Sequence, residues 1–177
     1  MRSFIILTGM LCCFLLTSRP LMGQTSEDPA SEEAVNTVIQ IYKTVSGDSK
    51  MAVDWEKVRS FFIDEAIIVL KTSPDGSTRF SVEEFIQDFK DFYDNPAVSE
   101  SGFKEEVLGI NAQVYGNAAA IGVLYEASVL NSERSPQKGI DFWLLSRQEN
   151  SWKVLGVSNE IIAPGEPIPE IFEAQEH

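Results

Sequence analysis

Few side chains in this sequence could carry out acid–base chemistry. The one histidine is the last residue, His177, which excludes most histidine-based mechanisms. Asp141 lies inside an apolar segment, where an ionised carboxylate is costly unless it is paired. Trp143 and Leu145 would share its face of a strand. Asp141 is therefore either a pocket acid with a raised pKa, or a carboxylate on the outer sheet face, in water or at a dimer contact.

Two further polar residues lie in apolar surroundings. Tyr42 lies on the apolar face of a predicted helix, where it either contacts a ligand or belongs to the core and pairs its hydroxyl with a neighbour. Glu126 is the only charge in the middle of a predicted strand, 118–130. Because the opposite face of that strand is uniformly apolar, we predict that Glu126 lies on the outer face of the sheet.

Aromatic residues at helical spacing either line an apolar pocket or form an ordinary core. The stripe consists of Phe85, Phe89, Phe92 and Tyr93. Other large side chains, outside this stripe, are further candidates for the lining of a pocket. The predicted pocket residues are Tyr42, Trp55, Phe62, Phe89, Tyr93, Asp141 and Trp143.

The sequence carries no signature of a metal or cofactor site. It has no cluster of cysteine and histidine and no calcium-binding loop pattern. It also has no glycine-rich phosphate loop and no Gly-x-Ser-x-Gly nucleophile turn. We therefore predict neither a metal nor a cofactor.

Composition narrows the class of protein. The chain has 177 residues, 44% of them hydrophobic and 23% charged, which suits one folded domain. Its formal net charge is -13, with 14 basic and 27 acidic residues. A surface this acidic would repel nucleic acid and anionic membranes, so neither is a predicted partner.

Residues 1–23 have the pattern of a secretory signal peptide. A basic start is followed by an apolar segment shorter than the ~20 residues that span a bilayer, and Gly23 offers a small residue for cleavage. An uncleaved anchor helix is the alternative. Cleavage near Gly23 would place the protein in the periplasm or the medium, would leave no membrane contact, and would remove both cysteines, Cys12 and Cys13.

The rest of the chain is predicted to be helical first and then mainly strands. A loose leader, 24–30, precedes a helix capped by Ser31, and Asp54 caps a second helix containing Trp55 to Phe62. A buried strand follows at 66–70. Ser81 and Glu84 form a capping box that starts the third helix, which ends near Asn95 and Pro96.

After Pro96 the hydrophobic period changes from that of a helix to that of a strand. Leu108, Ile110, Ala112 and Val114 alternate with polar or small residues, and a two-residue hairpin follows at Gly116 and Asn117. Further strands reach residue 162, and a proline-rich tail, 163–177, is predicted to be an extended arm. The predicted helices come before a series of antiparallel strands, and this order indicates an α+β domain at 31–162. We expect its sheet to be curved and to leave a pocket at one end.

The order of these predicted helices and strands, and several of their sequence segments, resemble the nuclear transport factor 2-like superfamily. This superfamily includes the ketosteroid isomerases and the SnoaL-like proteins. The segments that carry the resemblance are the first amphipathic helix, the step from Val58 through Asp64-Glu65-Ala66 into a strand, and the late segments 142–147 and 152–154. The resemblance implies three helices packed on a curved, mostly antiparallel sheet, a cone-shaped, cystatin-like roll. It also implies a cavity, and often a homodimer through the outer sheet face.

The resemblance also implies where catalytic groups would lie. The carboxylate base of the isomerases falls at Leu70 in this sequence, which cannot move a proton. Asp141 falls where a hydrogen-bonding aspartate would be, and Tyr42 is near the place of a first-helix tyrosine. The related cyclases and dehydratases depend on histidine, which the mature chain offers only at His177.

Three functions remain open from the sequence. The first is a secreted protein that binds a small apolar molecule without catalysis. The second is an isomerase, lyase or hydrolase that uses Asp141 with Tyr42, which an open pocket where both converge would favour. The third is a structural dimerisation module that uses the outer face around Leu124 and Glu126.

Overall fold

The computed structural model describes residues 29–48 and 52–172. The predicted signal peptide lies outside these residues. Among the helices in the described part of the chain, none is long and apolar enough to cross a bilayer.

Helices dominate the first part of the described chain. The structure contains α1 (Pro29–Val45), β1 (Gly47–Asp48), α2 (Trp55–Ser60), β2 (Phe62–Ser73), β3 (Gly76–Phe80), α3 (Val82–Asp94) and α4 (Pro96–Ser99). The second part consists of β4 (Gly102–Tyr115), β5 (Ala118–Val129), β6 (Gln137–Gln148), β7 (Ser151–Ile161) and a 3₁₀ turn (Glu170–Phe172).

The strands form one sheet in the order β1-β4-β5-β6-β7-β2-β3. All pairs are antiparallel except β2 with β7. The helices cover one face of this sheet, and the main hydrophobic core lies between them. The predicted α+β class, with helices on a curved and mostly antiparallel sheet, is confirmed.

Local signals in the sequence set several element ends. The Asp54 carboxylate accepts a hydrogen bond from the Lys57 backbone N–H at 2.9 Å, and the capping box of Ser81 with Glu84 is complete. Both caps were predicted and are confirmed. The prediction of an N-cap at Ser31 was wrong, because α1 already begins at Pro29.

Other elements differ from the prediction. The second helix ends at Ser60, so Phe62 begins a strand, although its side chain is buried as expected. The predicted strand at 66–70 is the middle of the longer β2, and β1, β3 and α4 were not predicted. These three elements are short, so they offer little hydrophobic periodicity to detect.

An irregularity in β4 changes which residues face the core. Register shifts between Val107 and Gly109, so Leu108 faces outward and is 44% exposed. Val107 takes the inward position that the alternation predicted for Leu108. As a result Phe103, Glu105 and Val107 share the inner face at the start of the strand.

The outer face of the sheet is partly covered by the end of the described chain. The Phe172 ring lies against Gly122 and Phe142, where a glycine leaves room for it. Ile67, Phe142 and Leu144 remain substantially exposed on this face. A homodimer through the outer face stays a prediction.

Candidate functional site

A cavity of about 340 Å³ lies between the inner face of the sheet and helices α1 and α3. Exposed Asp88 and Gln137 mark its rim, and its walls are mainly aromatic and aliphatic. Its lining includes Ile41, Tyr42, Val45, Leu70, Lys71, Phe85, Phe89, Phe92, Phe103, Glu105, Tyr125, Ala127, Asp141, Trp143, Val157, Asn159 and Ile161.

A hydrogen-bonded chain crosses one wall of this cavity. The Trp143 Nε1–H donates to the Tyr42 hydroxyl at 3.3 Å, and that hydroxyl donates to Asp141 Oδ2. All three side chains are at least nine-tenths buried. Tyr42 comes from α1, whereas Trp143 and Asp141 are two residues apart on β6, so they point to the same side of the sheet.

Asn159 on β7 completes the surroundings of Asp141. Its Nδ2 donates to Asp141 Oδ1 at 2.9 Å and to the Tyr125 hydroxyl at 2.8 Å. Burial raises the pKa of Asp141 to about 6, and the bonds from Tyr42 and Asn159 oppose that rise because they stabilise the ionised form. Asp141 is therefore mostly ionised at pH 7, with each of its two oxygens accepting a hydrogen bond.

Tyr125 occupies space that a glycine on the next strand provides. Tyr125 is paired with Gly139, and a Cβ at residue 139 would lie 2.8 Å from the ring carbon Cε1 of Tyr125. A side chain of any size at residue 139 would therefore push Tyr125 out of the cavity wall.

We expect Gly139→Ala to lower the free energy of unfolding by about 1–3 kcal/mol, the usual range for overpacking a core. Gly109→Ala is the matched control, because its Cβ would meet its nearest neighbours at 3.5 Å, an ordinary contact distance. Urea unfolding measures both values. Equal losses in the two variants would contradict the close approach of Tyr125.

The predicted pocket set lacked Asn159 and Tyr125, and it also lacked an acidic residue of the site, Glu105. This half-buried side chain on β4 faces the cavity opposite Ala127, whose small side chain leaves room beside it. Ser46, just beyond α1, holds the strand in place, since its Oγ accepts from the Glu105 N–H at 2.9 Å and donates to the Tyr42 carbonyl oxygen at 2.7 Å.

The electrostatic surroundings of Glu105 are unfavourable for a charge. Burial, together with repulsion from Asp141, raises the pKa of Glu105 to about 8. Burial and the nearby Glu105 raise the pKa of Tyr93 to about 12. Burial first, and then the negative charges of Asp141 and Glu105, raise the pKa of Tyr42 and of Tyr125. Glu105 is therefore mostly protonated at neutral pH.

Aromatic rings form two groups around these carboxyl groups. Tyr42 is 5.9 Å from both Tyr125 and Trp143 between ring centroids. On the other side, Phe103 lies 5.0 Å from Phe92 and 6.5 Å from Phe89. These separations are typical of packed aromatic pairs, so the walls are well supported.

The structure brings only part of the predicted pocket set together. Tyr42, Phe89, Asp141 and Trp143 line the cavity. Phe62 packs in the core beside Phe85 and Trp143. Trp55 and Tyr93 line a separate hollow next to α4, and the Tyr93 hydroxyl donates to the Val45 carbonyl oxygen.

The structure also shows where Leu70 and Glu126 lie. Leu70 lines the cavity and is a side chain that cannot accept a proton. Glu126 lies on the outer face, where its strand neighbours are Glu106 and Lys138. Within the described ranges, 29–48 and 52–172, no group of three or more metal-ligating side chains occurs.

Solved structures share this fold at low sequence identity. An NTF2-like protein of unknown function from Pseudomonas putida is 11% identical over 83% of this chain and 96% of its own, with a TM-score of 0.62. An uncharacterized protein with a cystatin-like fold from Caulobacter vibrioides is 14% identical over 76% and 92%, with a TM-score of 0.58.

A nuclear transport factor 2 from Cryptosporidium parvum gives a similar result. It is 10% identical over 76% of this chain and 97% of its own, with a TM-score of 0.57. No family model and no curated protein matches the sequence. Identities this low establish the fold and leave the activity to be argued from the site.

Proposed function

We propose that this chain, which has the nuclear transport factor 2-like fold, binds a small and largely apolar molecule in its cavity. The observation that carries the proposal is a cavity of about 340 Å³ with aromatic walls and a few polar groups that converge on it. Cavities of this size and lining are typical of small-molecule sites. With the predicted signal peptide at residues 1–23, we propose a secreted or periplasmic binding protein.

The hydrogen bonds of the site favour binding over catalysis. The Tyr42 hydroxyl donates a hydrogen bond to one Asp141 oxygen, and Asn159 donates to the other. The pair thus converges in the cavity, as the enzyme hypothesis requires, but the two groups satisfy each other. Leu70, at the position where the resemblance implies an isomerase base, lines the cavity and cannot accept a proton from a substrate.

Filling the cavity tests the proposal. Ala127→Phe places a ring in the cavity beside Glu105, whereas Ala120→Phe adds the same ring at an exposed position of the same strand. We expect the melting temperature of the wild type and of Ala120→Phe to rise with a hit from a panel of small apolar compounds, because a ligand stabilises the folded state that binds it. Ala127→Phe should lose that rise. A panel without hits, or equal responses in both variants, would contradict a cavity ligand.

A proton-transfer enzyme is the second candidate, favoured by the convergence of Asp141 and Tyr42 and by the pKa of Glu105 at about 8. An acid–base group is most effective when its pKa lies near the working pH. Mass spectrometry of compounds that raise the melting temperature separates the candidates. Conversion of a bound compound by the wild type, lost in Glu105→Gln with binding retained, would establish the enzyme.

A further inference from the structure

We infer that the cavity selects a protonated amine, with its ammonium group on Glu105 and its apolar part between the aromatic walls. This inference rests on the proposed binding function and names the class of ligand. It follows from three features of the cavity: the balance of its charges, the unequal pairing of its two carboxyl groups, and the placement of its aromatic rings.

The charges that line the cavity are mainly negative. Asp141 and Asp88 are acidic, Glu105 becomes negative when it ionises, and Lys71 is the one basic residue among the described residues of the lining. The Lys71 Nζ is already paired with Glu160 at 3.2 Å. A ligand with a carboxylate or phosphate group would therefore meet repulsion, whereas a cation would be attracted.

The two inner carboxyl groups differ in how well they are satisfied. Asp141 accepts hydrogen bonds from Tyr42 and Asn159. The Glu105 carboxyl group has no hydrogen-bond partner among residues 29–48 and 52–172, and its backbone alone is held by Ser46. Ionising a half-buried carboxyl group without a partner is costly, and a ligand ammonium would reduce that cost.

The aromatic rings suit the remaining part of an amine. Tyr42 and Tyr125 line the cavity near Glu105, whose charge helps to raise the pKa of both hydroxyls. Phe103 lines the same cavity from two residues earlier on β4. Aromatic faces attract cations and also cover apolar groups, and rings combined with a carboxylate are a recognised way to hold an ammonium.

Binding of an amine should release a proton from Glu105. Glu105 interacts electrostatically with Asp141, Tyr42, Tyr93 and Tyr125, and its carboxyl pKa is about 8. Below that pH the ligand must displace the proton, so its affinity should rise up to tenfold per pH unit between pH 6 and 8. A simple alkylamine stays protonated across this range.

The test compares three probes that share a phenyl ring and differ in charge: 2-phenylethylamine, 2-phenylethanol and phenylacetate. Calorimetry at pH 7.5 should show the amine binding at least tenfold more tightly than the alcohol, with phenylacetate weakest. Glu105→Gln should abolish the preference for the amine and retain the affinity for the alcohol. Glu106→Gln, which removes a charge from the exposed outer face of the same strand, should leave the amine affinity nearly unchanged.

Several outcomes would overturn the amine inference. They are an alcohol affinity equal to that of the amine, an unchanged amine affinity in Glu105→Gln, or no binding by any of the three probes. Alcohol binding that Ala127→Phe removes would keep the proposed cavity function while rejecting the amine. A melting temperature for Glu105→Gln at pH 7.5 that is no lower than that of the wild type shows that its loss of amine binding does not come from unfolding.

Discussion

Replacing Glu105 with glutamine is expected to raise the free energy of unfolding at pH 8.5 and to leave it nearly unchanged at pH 4.5. Glutamine has the shape of the protonated side chain and cannot ionise. At pH 4.5 and below, the folded wild type already holds a neutral Glu105. At pH 8.5 most of the folded wild type carries a half-buried negative charge on Glu105 near Asp141, which the variant lacks.

The direction follows from proton linkage. The pKa of Glu105 is 4.5 as an ordinary glutamate and about 8 in the fold, so the folded state binds this proton more tightly. Its contribution to stability is therefore complete below pH 4.5 and is lost as the pH rises through about 8. A tenfold change in an ionisation constant is worth ~1.4 kcal/mol, so the wild type should lose about 3–5 kcal/mol that the variant keeps.

Ionisation of Asp141 also lowers the free energy of unfolding as the pH rises, but it does so at lower pH than that of Glu105. Its pKa rises from 3.8 to about 6, so its contribution is lost between those values in both proteins. The lowered pKa values of the exposed Glu84 and Glu160 act in the opposite direction, since their stabilisation is lost below pH 4.5. The wild type should thus be most stable in mildly acidic solution.

Urea unfolding of the wild type and Glu105→Gln at several pH values between 4.5 and 8.5 measures the effect. Glu106→Gln is the matched control, since it removes the same charge from the exposed neighbour on the outer face. The control should follow the wild type. Parallel pH profiles for the wild type and Glu105→Gln would show that Glu105 does not bind a proton more tightly in the fold.

The elements around the cavity were predictable where local signals are strong. The capping box at Ser81, the cap at Asp54 and the two-residue turn at Gly116 and Asn117 depend on a few neighbouring residues, and each occurs where the sequence indicates. Tyr42 and Asp141 stood out because a polar group in an apolar segment needs a partner. Which face of β6 is inside could not be decided, since the alternation alone is symmetrical.

Glu105 could not be found in the same way. It lies in the charged segment Lys104-Glu105-Glu106, which is typical of a solvated strand. Phe103 and Val107 on either side offered a weak signal of an inward face. The irregularity at Leu108, where β4 pairs with β5, shifts the alternation of inward and outward residues. The alternation after Leu108 therefore predicted the wrong inward residues for the start of β4.

Replacing Tyr42 with phenylalanine is expected to be the most damaging single change to the hydrogen bonds of the site. The ring would still fill its place, so the effect isolates the hydroxyl. Trp143 would lose its acceptor, and Asp141 would lose one of its two donors. Leaving such buried groups without partners costs about 1–3 kcal/mol each, so we expect the two groups together to cost about 2–6 kcal/mol at pH 7.5.

The pH dependence of that loss identifies its cause. The Tyr42 hydroxyl lowers the pKa of Asp141 because it donates to the ionised form, so its removal should raise that pKa above about 6. A protonated Asp141 depends less on the donor, and the loss should therefore be smaller at pH 4.5 than at pH 7.5. A loss of equal size at both pH values would indicate a packing defect instead.

Tyr125→Phe separates the role of Tyr42 from a general need for tyrosine hydroxyls in this cavity. The Tyr125 hydroxyl accepts a hydrogen bond from Asn159, whose Nδ2 also donates to Asp141 at 2.9 Å. Its removal leaves Asn159 with one acceptor and Asp141 with both donors, so we expect a loss of only about 1 kcal/mol. Urea unfolding of both variants gives the comparison. If Tyr125→Phe were as damaging as Tyr42→Phe, the Trp143–Tyr42–Asp141 chain would not be what stabilises this wall, and Asp141 would depend on Asn159 instead.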